Sequence, residues 1–132
     1  MISIRLNVAQ RLLLMRIIEA AVGGKGSIED GRRVRELWKA IDIGEIEEKV
    51  VFAEIKDVEL PDGRTVTMRR PGPAALEIKE ILVDDKAEAF AARCINTLNG
   101  KGELPIMERE FEPLMDAWEA RRPNDSSKGG SA

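Results

Sequence analysis

Apolar residues recur at helical spacing near the start of the chain. Val8, Leu12, Met15, Ile18 and Val22 form one stripe, which Leu13, Leu14 and Ile17 broaden. Asn7 stands at the capping position, Gln10 follows three residues later as in a capping box, and Gly23-Gly24 supplies a stop. The spacing predicts a helix over 8–22. Its apolar face is wider than one small core usually needs, so Leu13, Leu14 and Ile17 are expected at a contact with a second copy of the chain.

A second helix opens at Ser27, with Asp30 three residues on. Val34, Leu37, Trp38 and Ile41 then fall on one face. Asp42 and Glu45 suggest a further cap, followed by a short helical turn. From Val51 the period becomes two: Val51, Ala53 and Ile55 alternate with polar neighbours, and Val58 and Leu60 continue in the opposite phase. That slip predicts a bulge near Lys56–Asp57. Pro61-Asp62-Gly63 marks a turn, and Arg64 to Arg70 reads as the return strand of a hairpin.

Residues 75–81 read two ways. Leu76 and Ile78 alternate as in a third strand beside the hairpin, whereas Leu76, Val83, Ala87, Phe90, Cys94 and Leu98 also fit one long helix from Pro73. Strand followed by helix is preferred, with Asp84 as cap and Asn99-Gly100 as the end. A last helix follows Pro105, carrying Met107, Phe111, Leu114, Met115 and Trp118, and Pro113 forces a kink or restart within it. The expected fold class is α+β: a small helical domain of four main helices with a β-hairpin or three-stranded antiparallel sheet. Residues 1–122 form its globular part and 123–132 a flexible tail.

Composition narrows the chemistry. The chain has 132 residues, is 43% hydrophobic and 34% charged, and carries 21 basic against 24 acidic residues. It can bury a core without staples. It contains no His, which removes the commonest general base and metal ligand, and its one Cys excludes an intramolecular disulfide or a multi-cysteine zinc site. No metal or cofactor is expected. Neither a signal-peptide core nor a membrane span is evident, so a reducing cytoplasmic location is expected.

Gly23-Gly24-Lys25-Gly26-Ser27 has the glycine content of a phosphate-cradling loop, but its lysine precedes a glycine and a helix precedes the loop. A helix–helix turn with a serine cap is the better reading. Arg64, Arg69 and Arg70, with Lys56 on the neighbouring strand, form the cationic group most able to hold an anion or a partner. Thr65 and Thr67 add hydroxyls. The carboxylate clusters at 45–48, 84–85 and 108–112 lie where caps and helix dipoles already account for them. Cys94 lies on an apolar stripe with no base to activate it.

The segments RLLLMRII, RRVRELWKAI, EIEEKVVF, LEIKEI and INTLNGKGELPIMEREFEPLMDAWEA resemble small accessory proteins of bacteriophages and prophages, over about residues 8–119. The VELPDGRTVTMRRPGP hairpin departs from that pattern. The resemblance implies a phage accessory protein that acts on the host or assists the virus, and it assigns no catalytic residue. The leading expectation is therefore a non-enzymatic protein that binds, with self-association, as an inhibitor of a host anti-phage defence protein. The alternatives are an oligomeric sponge for an anionic nucleotide signal and a virion or assembly component. General nucleic-acid binding is not expected of an acidic chain with few aromatics.

Overall fold

A computed structural model of the protein describes residues 1–41, 54–70 and 73–123. The chain divides into two compact units, one of Met1–Asp42 and Ile78–Ala132, the other of Ile43–Glu77. The fold class is α+β, with four α-helices among the described residues.

The first unit begins with a strand that the helical stripe overshadows in the sequence. Ile2, Ile4 and Leu6 alternate with Ser3 and Arg5, and they form β1 (Ile2–Leu6). The hairpin, β2 (Glu54–Glu59) and β3 (Thr65–Arg70), lies in the second unit. The third expected strand exists as β4, but at Lys79–Val83, after a 3₁₀ turn at Pro73–Leu76. It pairs with β1 and not with the hairpin, from Ile2↔Val83 to Leu6↔Lys79. A two-residue β5 (Arg122–Pro123) joins the other edge of β1, giving the antiparallel order β4-β1-β5. Pro123 is thus paired with Ile2 in that ladder, although the tail was expected to begin there.

Period-two burial decides which face of this sheet turns inward. Ile4, Leu6, Ile81 and Val83 are buried, while Arg5, Glu80 and Leu82 are exposed. Four helices complete the unit: α1 (Val8–Val22), α2 (Ile28–Ile41), α3 (Asp85–Lys101) and α4 (Phe111–Glu119). Helix α1 packs on α2, α3 and α4, α2 approaches β4, and α4 approaches β1.

The local signals of α1 hold in full. Asn7 Oδ1 accepts the Gln10 amide at 2.9 Å and Gln10 Oε1 accepts the Asn7 amide at 2.9 Å, closing the capping box. Gly23 ends the helix at φ 64°, a left-handed conformation that glycine adopts without Cβ strain. The buried face is centred on Leu13, Leu14, Ile17 and Ile18, whereas Leu12 is exposed. Leu13, Leu14 and Ile17 therefore belong to the chain's own core and not to a surface left for a second copy. Several neighbouring elements, in place of one, take up the broad stripe.

Helix α3 starts as its cap predicts, with Asp84 Oδ1 accepting the Lys86 amide at 2.9 Å. It runs through Asn99-Gly100 and stops at Gly102, φ 66°, whose amide reaches the carbonyls of Leu98 and Asn99. Leu98 is buried, and its packing carries the helix past a glycine that costs only about 1 kcal/mol. Helix α4 begins at Phe111, so Pro113 falls in its first turn, where its missing amide breaks no intrahelical bond. Ile106 and Met107 precede the helix and are exposed.

In the second unit the β2–β3 ladder runs one-for-one from Glu54↔Arg70 to Glu59↔Thr65. The expected bulge at Lys56–Asp57 is absent. The apolar phase slip marks a ribbon with apolar residues on both faces, not an inserted residue. The turn forms as predicted, with the Leu60 amide donating to the Arg64 carbonyl at 2.7 Å and Gly63 at φ 86°. The helical turn expected after Asp42, the strand residues 51–53 and the tail beyond Pro123 lie outside the described residues.

Leu14 is fully buried, at 0% exposure. Leu14→Ala should lower the unfolding free energy by about 2–5 kcal/mol in urea titrations. Leu12→Ala, on the same helix but exposed, should change it by less than about 1 kcal/mol.

Candidate functional site

The turn between α1 and α2 forms the rim of a groove of about 360 Å³. Val22, Gly31, Val34 and Trp38 supply its apolar lining, and Lys25, Asp30 and Arg35 its charged groups. The helical repeat explains the wall, because residues 31, 34, 35 and 38 of α2 share one side of that helix. Trp38 was expected in the core with Leu37 and Ile41. Those two are buried, but Trp38 retains 42% exposure and opens onto the groove.

The glycine-rich turn acts as a connector. Gly23 and Gly24 take left-handed φ of 64° and 75°. Ser27 Oγ accepts the Asp30 amide at 3.1 Å, and Asp30 Oδ2 accepts the Ser27 amide at 3.3 Å. The start of α2 is therefore already capped by its own side chains, and the acidic Glu29 and Asp30 already complement its dipole. A phosphate cradle would need those amides free. The helix–helix turn with a serine cap is the arrangement observed.

Charge around the groove is asymmetric. The Asp30 carboxylate is engaged in the cap, while Lys25 and Arg35 form no ion pair among the described residues. On another side of α2, Arg33 binds both Glu29 and Glu36, and the guanidinium hydrogen bond holds the Glu29 carboxyl below its usual range. The groove thus presents two uncommitted cations beside a half-exposed indole.

The cationic group expected on the hairpin is arranged differently. Arg64 is exposed, and its Nε donates to Asp62 Oδ2 at 2.6 Å within the turn. Arg69 is in register with Ile55, and Arg70 with Glu54. Adjacent ladder positions alternate between faces, so the positions of Arg69 and Arg70 lie on opposite faces and Lys56 shares a face with that of Arg70. Thr67 Oγ1 donates to Asp57 Oδ1 at 2.9 Å across the same ladder. The ladder therefore does not bring these residues to one face.

Cys94 is buried, and that burial pushes its thiol above the ordinary range. A thiol held protonated is a poor nucleophile.

The sequence contained one signal for the groove. Trp38 and Arg35 follow Gly31 and Val34 at helical spacing, but an indole on an apolar stripe reads as core until the neighbouring helix is placed. No helix among the described residues is long and apolar enough to cross a membrane. Fold and groove together define a small α+β protein with a mixed aromatic and cationic cleft. Comparison with protein-family models, curated proteins and solved structures found no match.

Two measurements check this local picture. Ser27→Ala should cost about 1 kcal/mol of stability by removing one half of the α2 cap. A thiol reagent at pH 8 should label Cys94 slowly in the folded protein and rapidly in urea; equal rates would contradict its burial.

Proposed function

We propose that this chain is a non-enzymatic accessory protein that acts by binding, and that the groove at the α1–α2 turn docks an acidic segment of a host protein. The observation that carries this reading is the exposed Trp38 indole in one groove with Lys25 and Arg35, which form no ion pair among the described residues. Trp and Arg are the residues most often dominant at protein interfaces, because each buries a large area with few torsions to freeze. Unpaired cations at the rim complement carboxylates and speed encounter. The resemblance to phage accessory proteins supports a host defence protein as the partner and the host cytoplasm as the place of action.

Gly31 offers a test that leaves the fold intact. A Cβ added there meets no atom within 4 Å, so a larger side chain extends into the groove and α2 loses a glycine. A photo-crosslinking residue at the exposed Lys39, one helical turn beyond Arg35, should give a discrete adduct with an acidic host protein when the chain is expressed in its host. Gly31→Leu and Arg35→Glu should each weaken that adduct by about tenfold or more, which corresponds to 1.4 kcal/mol, with melting temperature unchanged or raised. An adduct that both variants leave intact overturns the reading.

A further inference from the structure

A second concavity, of about 380 Å³, lies where β1, β5 and the end of α4 meet in the first unit. It is lined by Ser3, Arg5, Ala117, Ala120 and Arg122. Its position follows from the ladder. Ser3 is opposite Arg122, so Arg5, two residues along β1, is the diagonal neighbour of Arg122 on the same outward face. Diagonal positions in an antiparallel pair are about 7–8 Å apart at Cα, within common reach of two arginine side chains. Ala117 and Ala120 contribute only methyl groups, which is why space remains there.

Both arginines are exposed, and neither forms an ion pair among the described residues. Two like charges at this spacing repel each other. Glu80 stands opposite Arg5 in the β1–β4 ladder and forms no ion pair with it; its Oε1 accepts the Ser3 hydroxyl at 2.9 Å and it keeps its charge. Arg121 is committed elsewhere: its Nε donates to Glu88 Oε1 at 2.6 Å, its Nη1 donates to the Trp118 carbonyl at 2.8 Å, and its guanidinium lies 4.2 Å from the Trp118 ring centroid. Those contacts anchor the residue next to Arg122, and the β1–β5 pairing fixes the backbone of Arg122 itself. The last turn of α4 is also satisfied, since the Asp116 carbonyl accepts the Ala120 amide at 3.0 Å. Two forked donors on a positioned backbone, over a small-residue wall, match a dianionic oxyanion that carries an organic substituent.

We propose that this concavity binds a phosphate monoester, with its dianionic head between the guanidiniums of Arg5 and Arg122 and its organic group against Ala117 and Ala120. The site is independent of the Trp38 groove. It is tested on the full chain by following arginine Nε–Hε signals during titration with phenyl phosphate, with phenylacetate as the monoanionic control. Saturable shifts at Arg5 and Arg122 are expected, with phenyl phosphate binding more tightly than phenylacetate. Arg5→Met combined with Arg122→Met should weaken binding by about tenfold or more at unchanged melting temperature, because both side chains are exposed. Glu80→Gln should tighten it by removing the carboxylate opposite Arg5 in the ladder. Shifts that do not saturate, equal shifts at the exposed Arg32 and Arg109, undiminished affinity in the double variant, or parity between the two ligands would each overturn the proposal.

Discussion

The first unit depends on one ladder. Pairing of Ile2–Leu6 with Lys79–Val83 joins segments separated by two helices and the whole of the second unit. The loop-closure entropy of so distant a contact is recovered only because the same register places Ile4, Leu6, Ile81 and Val83 on one face. A slip of one residue would turn that apolar set outward. With the register fixed, α1 follows β1 across a single capping residue, Asn7, and α3 follows β4 across Asp84, so the same ladder delivers both helices onto the inner face.

Helix α1 then becomes the centre of packing. Its broad apolar stripe looks excessive beside an ordinary amphipathic helix, yet α2, α3 and α4 all meet it. Leu14 and Ile18 are completely buried as a result. The stripe's width records the number of neighbours and carries no information on oligomeric state. Helix α4 shows the complementary economy, with Leu114 and Trp118 buried and Pro113 absorbed where the first turn lacks amide partners.

Both proposed surfaces lie where cations form no ion pair among the described residues. Most charged residues of α2 satisfy one another, as Arg33 does with Glu29 and Glu36, whereas Lys25 and Arg35 remain beside Trp38. On the outer sheet face, Arg121 is paired with Glu88, while Arg5 and Arg122 are diagonal neighbours with no ion pair among the described residues. Surface ion pairs are individually weak. The two proposed anion sites rest on their absence, among the described residues, at two concave places.

Sequence alone determined those features whose causes are local. The bounds of α1, its capping box, the serine cap of α2, the Asp84 cap and the Pro61-Asp62-Gly63 hairpin turn all rest on interactions within four residues. They could therefore be read without knowing the fold. The α+β class also followed from the change of period. Tertiary structure decided the remainder. It recruited Ile2–Leu6 as the central strand, paired β4 with it in place of the hairpin, and carried α3 past Gly100 because Leu98 is buried. It also kept Trp38 partly exposed at a groove, buried Leu13, Leu14 and Ile17, and set Arg5 diagonal to Arg122. Each of these depends on which distant surface arrives opposite a residue, and neither periodicity nor composition encodes that for a single segment.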